Sequence, residues 1–142
     1  MLAILLPEQI AEHWDELKGY IQEASPDMPW SSEDRMNDIL EQLIIGRMAA
    51  WISYGREDKL LDGLVVTSIF DDSEGVRSLL IHSVWAKKAK DSSWIEGWKI
   101  IKDYAISRKC KKVTAYTKIA NVKNRAKAMG FDTSCTYLEI GI

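Results

Sequence analysis

Cysteine is nearly absent. Cys110 and Cys135 are the whole supply. Two thiols make neither a disulfide framework nor a thiolate zinc centre. The scarcity fits a reducing, intracellular setting. Proline (3) and glycine (8) are sparse in 142 residues, so no collagen-like repeat and no Pro/Gly-rich linker exists. No apolar run approaches the ~18 residues of a membrane span. Residues 1–6 carry no basic region and no small-residue cleavage site, so no secretory signal is expected. There is no Gly-x-Ser-x-Gly elbow, no His-Glu-x-x-His and no phosphate loop of the Gly-x-x-x-x-Gly-Lys-Ser/Thr form, which sets aside three common chemistries.

What is present is an ordinary globular balance, 46% apolar and 28% charged. A single domain spanning residues 1–142 is expected. A chain of this size buries roughly 70% of the surface it exposes when unfolded. The net charge of −2 hides a division. Residues 1–75 carry 16 acids and 5 bases, and residues 76–142 carry 5 acids and 14 bases. Such segregation suits an anionic ligand or a charged partner on the basic half. It also suits two halves that attract each other within the fold.

Periodicity orders the chain. Residues 2–5 suit a short strand. Pro7 suits the first turn of a helix, and Ile10, Trp14, Leu17, Ile21 and Ala24 form one apolar stripe along it. Ser31 or Ser32 can cap a second helix, with Met36, Ile39, Leu40 and Leu43 as its stripe and Gly46 as its stop. The period then changes to 2. Strands are expected over 47–54, 60–70 and 76–85, joined by polar turns as an antiparallel meander. Ser93-Trp94-Ile95-Glu96 has the form of a capping box, and a helix should run from there to about Lys109. A strand over 111–117, a helix over 121–129 stopped by Gly130, and a last strand over 131–142 complete the chain. The order β-α-α-β-β-β-α-β-α-β describes an α/β (α+β) domain, a mixed sheet with helices on both faces.

This order, with a polar loop entering a helix after the fourth strand, resembles the GNAT superfamily of N-acetyltransferases. The sharpest local match is Ala128-Met129-Gly130-Phe131, a helix-Gly-Phe junction. Ser107-Arg108-Lys109-Cys110-Lys111-Lys112-Val113 is similar to the family's third helix running into its fifth strand. Residues 94–142 also resemble small GNAT-like proteins encoded among tailed-phage head and virion genes.

The resemblance implies a coenzyme A site and also marks departures from it. Active members read Arg/Gln-x-x-Gly-x-Gly/Ala after the fourth strand, and those glycines let backbone N–H groups reach the pyrophosphate. Residues 88–94 contain no glycine. If Ser93 caps the helix, it competes for the same N–H groups. If coenzyme A binds, Lys87, Lys88 and Lys90 are the phosphate candidates, beside Ser93 and Asn121. The backbone of Ile81, Ser83 and Val84 would pair with the pantetheine arm. Many members carry a tyrosine acid four residues before the Gly-Phe junction, where this chain has Ala126. Tyr116 and Tyr137 are the alternative acids. His82 is the candidate base, since its ordinary pKa lies near working pH. Each of the three also has a plainer reading as a packing residue. His13, Asp72, Glu74 and Cys110 are expected to have no chemical role, and no metal site is expected.

Trp14, Trp51 and Trp98 fall on apolar stripes. Trp85 and Trp94 flank the cleft that the resemblance implies, and exposed they would anchor a protein partner. The leading expectation is therefore a non-catalytic, degenerate GNAT-fold phage protein. It would act in a virion or its assembly, through other phage proteins or self-association, in the host cytoplasm or the virion, with no cofactor and no membrane. The alternative is an acetyl-CoA-dependent N-acetyltransferase with an atypical cofactor loop. A third reading is nucleic-acid association through residues 87–127, which hold 13 bases against 3 acids without a recognised motif.

Overall fold

The computed structural model describes residues 1–25, 34–55, 60–86 and 89–142. The expected cap at Ser31 or Ser32, and the candidate ligands Lys87 and Lys88, lie outside them. Five strands form one sheet in the order β1-β2-β3-β4-β5. They are β1 (Ala3–Ile4), β2 (Met48–Tyr54), β3 (Leu61–Asp71), β4 (Arg77–Trp85) and β5 (Lys112–Ala115). The first four pair antiparallel, and β5 joins β4 in parallel. The helices are α1 (Pro7–Glu12), α2 (Trp14–Ala24), α3 (Arg35–Ile44), α4 (Asp91–Ser107) and α5 (Ala120–Ala128). The mixed α/β architecture expected from the sequence is the one observed.

Strand alternation sends side chains to two cores. Ala50, Leu64, Val66 and Trp85 meet Ile10, Leu17, Ile21, Met36, Ile39 and Leu43 of α1–α3 on one face. Trp51, Leu79 and Ile81 meet Ile101 and Ala105 of α4 on the other. Trp51 Nε1 donates to Thr67 Oγ1 at 3.0 Å, which satisfies its one polar atom inside the protein. The α3 stop falls at Gly46, at φ +83°, and Arg47 N donates to Gln42 O across it at 2.9 Å. The stop after α5 is built the same way, with Gly130 at φ +98° and Phe131 N donating to Ala126 O at 3.0 Å.

Three details differ from the sequence expectations. The first long helix is two helices, broken at His13 (φ −107°, ψ 16°). Helix α4 starts at Asp91, with Lys90 in the cap position and no side-chain cap. Ser93 therefore lies inside the first turn and does not cap. Residues 131–142 form no strand and carry no regular secondary structure. Asp132 Oδ1 accepts from both Ser134 N and Ser134 Oγ, a local turn that competes with an extended ladder. Leu138 and Ile140 are each 84% exposed beyond it.

Candidate active site

The site begins with a fault in the sheet. Val66 of β3 pairs with Ser83 of β4, and the next residue, Thr67, pairs with Ile81. His82 is thus the extra residue of a β-bulge, which bends its strand. The β4–β5 ladder runs from Ser78↔Lys112 to Ile81↔Ala115 and stops at the bulge. Strand β4 continues to Trp85 with no β5 partner. The other end of the pair is pinned. Lys112 Nζ forms an ion pair with Asp72, and Asp72 Oδ1 accepts from Glu74 N and Val76 N in the β3–β4 turn. Lys112 is the first cause holding the Asp72 carboxyl below its ordinary value. Asp72 is therefore more than a soluble turn residue: it ties the closed end of a pair of strands that part at the other.

A cavity of about 630 Å³ occupies the α4 side of the opening. Ile81, Val84 and Trp85 of β4, Ala115 of β5 and Val122 and Ala126 of α5 line it, with Lys90, Ser93, Trp94 and Gly97 at the start of α4. Three expected cofactor residues, Ile81, Val84 and Ser93, are brought together here with Lys90. Asn121 is exposed and lines neither this cavity nor the next. The uncapped first turn of α4 leaves backbone N–H groups on the cavity side without a side-chain competitor. A positive helix end and an open strand edge are both suited to an anionic, amide-bearing chain. Ala126, where the resemblance expects a tyrosine, contributes only a methyl group to the wall.

A second, wider cavity of about 1230 Å³ runs along β5 and holds His82. The two share Trp98, Ala115, Val122, Ala126, Met129 and Phe131, so they adjoin along a common wall at the opening. Burial is the first cause that lowers the His82 pKa from its ordinary 6.5, and the charge of Arg35 adds to it. Both disfavour the imidazolium, so the ring is neutral at pH 7 and able to accept a proton. Its Nδ1 lies 2.8 Å from Ser83 Oγ, and Ser83 Oγ lies 2.9 Å from Ser25 Oγ at the end of α2. The Ser83 side chain thus faces α2, and only its backbone could serve a ligand in the first cavity. Thr114 Oγ1, also on this wall, is buried without a hydrogen-bond partner among the described residues.

Tyr116 and Tyr137 both line the second cavity. Their rings lie 4.9 Å apart, and both remain about half exposed, at 47% and 58%. Glu139 is the leading cause that raises the Tyr137 pKa, so that phenol keeps its proton. The two tryptophans are not a matched pair of anchors. Trp85 is 8% exposed, packs edge-on against Tyr20 at 4.6 Å and donates to Glu23 Oε2 at 2.9 Å. It belongs to the core, which corrects the expectation of a partner contact. Trp94 is half-buried under Arg125, whose guanidinium carbon sits 5.3 Å from the ring centre. Arg125 Nη1 also meets Asp91 Oδ1 at 2.6 Å, holding α5, which buries none of its own residues, to the start of α4.

Sequence reasoning missed the bulge, Ser25 and Arg125. Two short polar residues 58 positions apart leave no signal of their contact. Arg125 stood in the basic run without a mark to separate it from its neighbours.

A comparison of the sequence with family models finds no match, and none of the curated proteins matches it. Solved structures do. The chain is similar over its whole length to the aminoglycoside acetyltransferase AAC(6')-Iy, in complex with a coenzyme A bisubstrate analogue (TM-score 0.72, 12% identity, 97% of that chain). It is similar likewise to AAC(6')-Ih from Acinetobacter baumannii (0.70, 12%, 98%). A third is the ribosomal-protein-alanine N-acetyltransferase of Brucella melitensis biovar Abortus 2308 (0.69, 15%, 99%). The chain has the GNAT fold. The expectation of a non-catalytic phage assembly protein is overturned. These similar structures are acetyltransferases, and none points to a virion. Two of the physical grounds for that expectation also fail, since Ser93 does not cap α4 and Trp85 is not exposed, while the glycine-free stretch 88–94 and Ala126 remain as departures from the family pattern. Among the described residues, no helix is long and apolar enough to cross a membrane.

Proposed function

We propose that this protein is an acetyl-CoA-dependent N-acetyltransferase. One observation carries the reading: β4 and β5 part at a bulge, and the extra residue of that bulge is a half-buried histidine. The parting lies where two cavities adjoin, which would let a donor held on one side meet an acceptor amine on the other. The α4-side cavity fits the donor. Val84 and its neighbours offer a strand edge without a β5 partner, Lys90 offers charge, and the uncapped α4 turn offers N–H groups. Acetyl-CoA would supply an activated thioester.

On the other side, His82 faces the acceptor. In the overall transfer the amine nitrogen forms a bond to the acetyl carbon and the carbon–sulfur bond breaks. The amine proton goes to His82, and the thiolate takes a proton to leave as thiol. The family's tyrosine acid is absent at Ala126, and Tyr116, just past the end of β5, is the phenol assigned to the thiolate. The neutral state of His82 at pH 7 suits a base, since only the unprotonated ring can accept.

The test is calorimetric titration of the full chain with coenzyme A, alone and as the Ala115→Trp variant. Ala115 is the last β5 residue at the parting and lines both cavities, so an indole there should block it. Saturable micromolar binding is expected. The variant should weaken it more than tenfold with its unfolding midpoint unchanged. No binding at millimolar coenzyme A overturns the reading.

A further inference from the structure

We propose that the acceptor is an acidic peptide, laid along the outer edge of β5 with its N-terminal amine at the parting of β4 and β5. The transfer to that amine rests on the acetyltransferase reading, while the peptide surface rests on strand geometry and charge. Among the described residues β5 is the last strand of the sheet and pairs only with β4. Residues 110–118 all line the second cavity, so the cavity follows the strand from end to end. At about 1230 Å³ it exceeds the ~300–1,000 Å³ of a small-molecule pocket. An open edge offers main-chain N–H and C=O groups to an extended segment. The direction of that segment follows from the register. Strand β5 runs from Lys112, beside Ser78, to Ala115, beside Ile81 and the bulge. A peptide whose N-terminus reaches the bulge therefore runs antiparallel to β5, and its later residues pass the Lys112 end.

Charge selects the peptide. Six lysine and arginine side chains and two carboxylates line this cavity. Lys112 is already paired with Asp72. With Asp132 and Glu139 set against Arg35 and Lys118, three cations remain. They are Lys102 of α4, Lys111 just before β5 and Lys123 of α5, all exposed. None of the three has a carboxylate in ion-pair range among the described residues. Three separate elements thus bring like charge to one cavity, and an anion from outside relieves their repulsion. Alternate residues of an extended peptide share a face, so acids at every second position can meet these lysines. A polycationic acceptor would add to the repulsion instead. A nucleic acid would match the charge, but it brings neither peptide groups for the strand edge nor an aliphatic amine for the transfer.

Fluorescence anisotropy of the full chain tests this without turnover. The probes are hexapeptides with a free N-terminus, a dye at the C-terminus and no lysine. One carries acids at alternate positions, one has glutamine in their place and one has arginine. The acidic peptide should bind about tenfold tighter than the glutamine peptide, and the arginine peptide should bind weakest. Raising the ionic strength from about 0.05 M to about 0.5 M should bring the acidic peptide toward the glutamine value, because the screening length falls severalfold. Lys102→Glu, Lys111→Glu and Lys123→Glu together should reverse the order, with the fold checked by far-ultraviolet circular dichroism. Supplied with acetyl-CoA, the wild-type chain should acetylate the acidic peptide with the highest kcat/KM. Equal binding of the three peptides overturns the proposal, and so does an oligonucleotide of equal charge that binds as tightly as the acidic peptide. A chain that sediments as a dimer, undisturbed by the acidic peptide, assigns the edge to a second copy and also overturns it. Selective binding of the acidic peptide without acetyl transfer upholds the surface and refutes the acetyltransferase reading. Acetylation of all three peptides alike upholds the acetyltransferase reading and overturns the acidic acceptor. The wild-type binding order decides the matter even if the triple variant does not fold.

Discussion

Trp85 separates a core residue from a docking anchor, and the two roles differ by a measurable energy. Trp85→Phe keeps a ring beside Tyr20 but loses the outer part of the indole and its N–H. The lost area is roughly 40 Å², worth about 1 kcal/mol at about 25 cal/mol/Å². The lost hydrogen bond to Glu23 adds about 0.5 kcal/mol, the low end of the range, because Glu23 is exposed and its carboxylate returns to water. The sum is about 1–2 kcal/mol. With a urea slope of about 1–3 kcal/mol/M for a small domain, the midpoint should fall by roughly 0.5–1 M. Trp85→Ala should cost about 3–5 kcal/mol, a large share of the ~5–15 kcal/mol that holds a domain together. The conservative variant is therefore the one to measure, by urea unfolding followed in the far ultraviolet. A Trp85→Phe midpoint within about 0.2 M of wild type would refute the core assignment, and Trp85 would again be a candidate for partner contact.

The His82 pKa is lowered in the folded chain, so the unfolded chain binds the proton first as pH falls. Its contribution to stability is full above about 6.5 and is lost as pH falls from there toward the folded value. His82→Gln should flatten the stability profile in that window, measured by urea midpoints against pH, and should lower kcat by about 100-fold or more. Thr114→Val replaces an unpartnered buried hydroxyl with a methyl of like shape. Stability should rise by about 1 kcal/mol, seen as a higher melting temperature; a loss would mean that the hydroxyl has a partner. Lys109 closes α4 at φ +62°. Lys109→Gly should add about 0.5–1 kcal/mol, since the relief of a left-handed side chain exceeds the extra entropy of an unfolded glycine; an unchanged urea midpoint would count against that strain.

The legible parts of the sequence were those written in local periods. Ile10, Leu17 and Ile21 do face the core, as do Met36, Ile39 and Leu43. The three strands of the meander stand where alternation placed them, and Gly46 and Gly130 do end helices. Ser93-x-x-Glu96 misled because a capping box is a pattern of residue types, while the cap is set by where helical dihedrals begin. That point lay three residues earlier, at Lys90. Residues 131–142 are expected as a last strand, yet a strand exists only if an edge receives it, and the local turn at Asp132 intervenes.

The sequence by itself determined the class of fold and the face on which each stripe lies, because side-chain period and turn chemistry act within a few residues. Only the tertiary structure decided the site. Whether β4 and β5 stay paired, which residue of β4 is squeezed out as a bulge, and that Ser25 meets Ser83 depend on registers between segments far apart in the chain. A ladder's end is set by both strands and by what packs on them. No window of one strand records its neighbour's register.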